Sequence, residues 1–273
     1  MVRVFQVGVG SGGLPVLDLL AQDRRIDHVI LVDPDVYQAH NVERHWFPRS
    51  AVGRGKAELA QEWLAARRAD LTVEIIPGDL LDPELQPRYE AALTTADIGV
   101  CAVDSEPAKY HFDALMRRHN KPWTLGEVLS GGIGGFVHWF RPGGPCYGCV
   151  ASFLKRGIEP EIDARPPDYS QPSASVEEAR IPASKSAVNV IAALHANLTQ
   201  ALLDDPAGFN PGFTTMLLSL RIVPGVFGEM FRPHRWSIPR SPECLLCRPP
   251  DREIAAEDLD GALHQALERL AHE

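Results

Sequence analysis

The residues with the most chemical content near the N-terminus are glycines. The stretch "GVGSGG" sets Gly8, Gly10 and Gly13 in G-x-G-x-x-G spacing, directly after the apolar run "RVFQV". The first two permit a tight turn and close approach of backbone to a phosphate, and the third lets a helix pack on a strand. A helix opening there offers unpaired N–H groups and partial positive charge to an anion. Asp33 follows Gly13 by 20 residues and ends the next apolar run. A carboxylate there can accept hydrogen bonds from ribose hydroxyls. These features predict a bound nucleotide and leave NAD and ATP both open.

Three further stretches favour a triphosphate. "LVDPDVYQAHNVERHWF" carries Asp35, Asn41 and Arg44, "AVGRGKAEL" places Lys56 at a helix start, and "CAVDSEPAKY" ends an apolar run on Asp104. A hydride-transfer enzyme needs neither an arginine and a lysine at the phosphates nor an extra acid at a strand end. A triphosphate does, because its leaving pyrophosphate must be stabilised by cations. A carboxylate over the crevice of an open sheet is suited to hold Mg²⁺. Asp104 could equally act as an N-cap for the helix after it. An NAD-dependent oxidoreductase is the competing expectation, and it leaves Arg44, Lys56 and Asp104 without a role.

Four of the five cysteines form two C-x-x-C pairs, Cys146/Cys149 and Cys244/Cys247, with no cysteine between them. In a reducing compartment such pairs favour metal over disulfide. Two knuckles of two thiolates complete a tetrahedral zinc site with no open position, so the zinc would be structural. Local thiol pairs or disulfides are the alternative. Cys101 falls in "DIGVCAVD", where a small buried hydrophobe is expected.

The elements that must position these residues alternate in type. Strands are expected at "RVFQVGV", 28–33, "TVEIIPG", 97–104 and "PWTLGEV". Helices are expected at 12–22, from Gly55, in "PELQPRYEAALTTA" with a proline near its middle, and in "EPAKYHFDALMRRH". Strand–helix alternation predicts an α/β fold with a doubly wound, Rossmann-like, mainly parallel sheet. After Gly131 the pattern changes. "GGFVHWF", "TTMLLSLRIVP" and "GEMFRPHRWSIP" read as antiparallel strands, 186–203 as a buried helix, 155–183 as a long loop, and "REIAAEDLDGALHQALERLAHE" as an amphipathic helix. The expected organisation is a nucleotide-binding half at 1–142, a zinc-stapled strand and loop portion of the same domain at 143–250, and a terminal helix at 251–273.

The length of 273 residues is sufficient for a substantial core. A net charge of −9 argues against a nucleic-acid partner held by bulk electrostatics. No continuous apolar run approaches the length of a membrane span, and the N-terminus lacks a signal-peptide pattern, so no membrane partner and a cytoplasmic location are expected.

Taken together, the glycine loop, "LVDPD", "NVERH", "VGRGK", "AVDS" and both cysteine pairs resemble the ThiF/MoeB-type adenylating enzymes, which include the catalytic domains of ubiquitin-activating enzymes. The resemblance covers roughly residues 2–248. It implies ATP on the glycine loop, Asp33 and Asp35 on the nucleotide, Asn41, Arg44 and Lys56 on the phosphates, Asp104 on Mg²⁺, and zinc on the four cysteines. The implied reaction activates the C-terminal carboxylate of a ubiquitin-like protein, a sulfur-carrier protein or a peptide as an acyl-adenylate. The resemblance also implies a homodimer. His45 stands where the family usually has glutamine, and Ser105 where it usually has asparagine. The arginine-bearing N-terminal helix of many members has no counterpart here, so a contribution across a dimer interface is not expected. Members that form a thioester or persulfide use a cysteine in roughly the 150–243 region. None lies there, so the chemistry is expected to stop at the adenylate. A non-catalytic partner subunit is a further alternative, but it predicts lost phosphate ligands, whereas this sequence keeps them.

Overall fold

The computed structural model describes residues 1–154 and 182–247. Most of the 155–183 loop and the whole terminal helix expected at 251–273 lie outside the described residues.

One eight-stranded sheet organises the chain. Its strands are β1 (Val2–Val7), β2 (Ile26–Val32), β3 (Thr72–Ile76), β4 (Ile98–Cys101), β5 (Trp123–Val128), β6 (Gly134–Phe140), β7 (Thr215–Ser219) and β8 (Pro233–Trp236). The order is β3-β2-β1-β4-β5-β6-β7-β8. The first five run parallel, and β6 to β8 add on as antiparallel neighbours. The central strands are largely apolar because helices cover both faces; β4, IGVC, is wholly buried. Helices α1 (Gly13–Leu20), α2 (Lys56–Ala65), α3 (Gln86–Thr95), α4 (Glu106–Arg118), α5 (Tyr147–Phe153) and α6 (Lys185–Asp204) complete the fold.

The winding direction reverses between β1 and β4, which places a crevice above their carboxyl ends. Ligands of open α/β sheets bind at such a switch point. Both the glycine loop after β1 and Asp104 after β4 lie there.

Several elements differ in extent from expectation. The proline of "PELQPRYEAALTTA" does not sit mid-helix, because α3 starts at Gln86 and Pro87 occupies its first turn, where no N–H is needed. Strand β8 spans only Pro233–Trp236. Ile222, Val226, Met230 and Phe231 before it are exposed.

Helix α6 has the length and composition of a membrane span, with mean hydropathy 1.2, although its apolar positions are interrupted. Half of that window is buried inside the protein. Ala187, Ile191, Ala192 and Leu202 belong to the core shared with α1 and the sheet.

Candidate functional site

The glycine loop is closed tightly at its two ends, Gly8 and Gly13. Gly8 has φ +90°, and a Cβ there would lie 2.5 Å from the Ala102 carbonyl oxygen. A Cβ on Gly13 would lie 2.1 Å from the Gly8 oxygen. Only glycine allows the loop to close this tightly against β4. Around Gly10 the space is open, and a Cβ there would meet nothing within 4 Å among the described residues. The amides from Gly10 to Gly13 donate to no backbone acceptor among the described residues, so they are available to an anion at the start of α1.

Side chains then fix the loop. Buried Gln6 donates from Nε2 to the carbonyls of Gly8 (3.1 Å) and Gly13 (2.9 Å). Asp33 is buried and uses both carboxylate oxygens: Oδ2 accepts the Val9 N–H at 2.6 Å and Oδ1 the Asp35 N–H at 2.9 Å. Burial pushes its carboxyl upward, opposed by those two amides and by nearby Lys56. Each oxygen keeps a second lone pair for a ligand.

His45 clamps the next peptide, at the carbonyl of the same residue, Val9. Its Nδ1 accepts the Trp46 N–H at 3.0 Å, so Nε2 carries the proton and donates to the Val9 carbonyl at 3.1 Å. Burial lowers its pKa from 6.5 to about 4, leaving the ring neutral near neutral pH. Val9 is thus gripped at its N–H by Asp33 and at its C=O by His45. The histidine in the family's glutamine position therefore acts on the loop backbone. Tyr37 meets it edge-on, Phe47 stacks on it at 4.4 Å, and the Tyr37 hydroxyl donates to the Phe47 carbonyl.

The charged residues approach along the same wall. Gly55 caps α2, and the bridge between Val36 and Gly55 brings the start of that helix to the segment after β2. Buried Lys56 consequently pairs with Asp35, Nζ to Oδ2 at 2.6 Å. Asn41 is buried in a turn, where its Oδ1 accepts the Gln38 N–H at 2.9 Å and its Nδ2 remains a donor. Arg44 is half-buried, and its N–H donates to the Asn41 carbonyl. Arg44, Lys56 and Lys185 all lie near enough to His45 to help hold its pKa down. Asp104 is exposed beyond the end of β4. The N-cap of α4 is the next residue, Ser105, whose Oγ accepts the Ala108 N–H at 3.4 Å. The N-cap position of α4 therefore belongs to Ser105 rather than to Asp104.

Behind Asp104, α4 carries a second polar group that the sequence did not single out. Buried Lys109 bridges Glu106 (2.6 Å) and Glu127 (2.5 Å), and Glu127 also meets His138 at 2.9 Å. Cys101 is fully buried beside them, as expected of a core residue, and burial pushes its thiol up to about 12.

The four paired cysteines converge. Cys146 opens α5, and Cys244 and Cys247 sit in a turn after β8. The sulfurs of Cys146 and Cys149 lie 3.7 Å apart, those of Cys146 and Cys244 3.5 Å, and those of Cys149 and Cys247 3.5 Å. All four lie within 4.8 Å of one another. A tetrahedral ion with Zn–S of about 2.3 Å separates its sulfurs by about 3.8 Å. The donor set and spacing therefore fit such an ion. Helix α4 supports both knuckles: Asp113 accepts the Tyr147 N–H at 3.0 Å and pairs with Arg117, which donates to the Leu246 carbonyl at 2.8 Å. The Ser241 N–H points at the Cys149 sulfur.

Fold and site together define a class: a doubly wound α/β protein with an acid-pinned glycine loop at the switch point of its sheet and a separate four-thiol group that could hold a metal. The chain belongs to the ThiF family, whose model matches residues 1–232. Its fold is similar to that of E. coli MccB. The MccB structure without a named ligand aligns at TM-score 0.67 and 20% identity, covering 92% of this chain and 66% of that one. The structure with ATP aligns at TM-score 0.62 and 22% identity, covering 90% and 66%. The Microcin C7 biosynthetic enzyme MccB in complex with N-formylated MccA aligns at TM-score 0.64 and 20% identity, covering 90% and 67%. This chain thus spans about two-thirds of the length of the solved chains it matches. No curated protein sequence matches it.

Proposed function

We propose that the protein is an ATP-dependent adenylyltransferase that activates the C-terminal carboxylate of a peptide or small carrier protein. The observation that carries this reading is the arrangement of opposite charges around one glycine loop, with Lys56 and Arg44 along one wall and Asp104 beyond the facing strand. In this reading Asp33 and Asp35 contact the nucleoside side, Asn41, Arg44 and Lys56 the phosphates, and the amides of Gly10 to Gly13 the phosphate nearest α1. Asp104 would hold Mg²⁺, which supplies charge neutralisation at the phosphates when bound.

A substrate carboxylate oxygen attacks the α-phosphorus and forms the acyl–phosphate bond. The bond from that phosphorus to the bridging oxygen breaks, and its electron pair leaves with pyrophosphate. Arg44 and Lys56 stabilise the charge on that leaving group, so the chain contributes position and electrostatics rather than a nucleophile. With no thiol between Cys149 and Cys244, the reaction ends at the acyl-adenylate. A peptide substrate is supported by the MccA complexes of MccB, and a ubiquitin-like or sulfur-carrier protein remains in the same class of carboxylate. The four cysteines would hold a structural Zn²⁺. We further propose one adenylation domain formed from 1–142 and 143–250 with an appended 251–273 helix, a cytoplasmic homodimer, and no nucleic-acid or membrane partner. Comparing the thermal shift by ATP–Mg²⁺ with that by NAD tests the ligand. A shift by ATP–Mg²⁺ alone is expected, and a shift by NAD alone would overturn the reading.

A further inference from the structure

Lys185 opens α6, far along the chain from the glycine loop, yet it belongs to the same wall. Ser184 caps the helix, its Oγ accepting the Ala187 N–H. The first turn packs on the loop: Val188 Cγ1 lies 3.8 Å from where a Cβ on Gly12 would be. Lys185 Nζ donates to the His45 carbonyl at 2.9 Å and lies 6.0 Å from the centre of the Trp46 ring. His45 in turn donates to Val9 inside the loop. One side chain therefore separates the Lys185 ammonium from the phosphate-binding backbone, and the residue it docks on follows Arg44 directly.

Formal charge gives this placement a consequence. Lys56 is paired with Asp35 at 2.6 Å, and Asp33 lies beneath the loop. Asp33 and Asp35 against Arg44 and Lys56 sum to zero, whereas a leaving pyrophosphate carries several negative charges. We propose that Lys185 is a further phosphate-contacting residue, delivering its ammonium from α6 to the pyrophosphate end of bound ATP. The proposal rests on the adenylation reading for the identity of that ligand. One of the three ammonium protons is used on the His45 carbonyl, and the other two meet no acceptor among the described residues. A phosphate oxygen is a stronger acceptor for them than a neutral carbonyl. AMP lacks the β- and γ-phosphates, so Lys185 separates the two nucleotides where a purely structural residue would not.

Isothermal titration of the full chain with ATP–Mg²⁺, AMP and inorganic pyrophosphate, for wild type, Lys185→Met and Lys185→Arg, tests this. Lys185→Met keeps most of the apolar stem. It should weaken ATP and pyrophosphate about 10- to 100-fold, the size of one charge-assisted hydrogen bond, and leave AMP within about 2-fold. Lys185→Arg should retain most of the ATP affinity. Equal weakening of ATP and AMP would assign Lys185 a structural role only, and unchanged ATP and pyrophosphate affinity would remove it from the site. Wild type that binds pyrophosphate in a Lys185-dependent way but not ATP would sink the adenylation reading while sustaining the phosphate contact. Wild type that binds neither would sink both.

Discussion

Replacing His45 with glutamine separates two properties of the loop clamp, its hydrogen bond and its proton. The unfolded histidine binds a proton below its ordinary pKa of 6.5, but the native ring does so only below about 4. Between those values the unfolded state binds more protons, so stability falls as pH falls. Integrating from about pH 7 to about pH 5 gives a loss of about 2 kcal/mol from this residue alone. Glutamine can still donate to the Val9 carbonyl but does not titrate. Its cost near neutral pH is the acceptor it removes from the Trp46 N–H, about 1 kcal/mol. Urea denaturation of both proteins at the two pH values reads the difference. Wild type should lose about 2 kcal/mol more than His45→Gln on acidification, and the two stability curves should converge or cross. Parallel pH dependence, within about 0.5 kcal/mol, would refute a neutral buried His45 on Val9.

Three further outcomes are expected. Gly13→Ala should lower stability by about 2 kcal/mol and weaken ATP at least about tenfold, because its Cβ meets the Gly8 oxygen, whereas Gly10→Ala should fold normally; urea denaturation and ATP titration check the pair. Elemental analysis should find one zinc per wild-type chain and none in Cys244→Ser, whose melting temperature should fall by at least about 5 °C. Asp104→Asn should reduce adenylation at least about 100-fold in a pyrophosphate-release assay.

The parts of the site legible in the sequence were those with a fixed local spacing. Gly8, Gly10 and Gly13 follow β1, Asp33 follows β2, and Asp104 follows β4, so strand–helix alternation alone carries them to one edge of the sheet. The cysteine pairs were legible for the same reason, although their meeting depends on α4 and on the turn after β8. Gln6 and His45 were not legible as loop clamps. Their partners are backbone carbonyls, which leave no mark in a side-chain pattern. Lys185 was hidden by topology, because nothing local indicates that α6 packs on Gly12. The strand expected at 228–239 is longer than the observed Pro233–Trp236. The chain there is exposed, and Phe231 adopts a left-handed φ of 55°, which interrupts extended structure.

In the proposed reaction Arg44, Lys56 and Asp104 surround an ATP that reacts with a carboxylate. Exchange of labelled pyrophosphate into ATP measures that step directly, using wild type, Arg44→Ala and Asp104→Ala with peptides ending in a free carboxylate or an amide. Exchange is expected only with wild type, Mg²⁺ and a free carboxylate of an accepted sequence. Exchange that survives either substitution, or that proceeds equally with the amidated peptide, would contradict the proposed reaction.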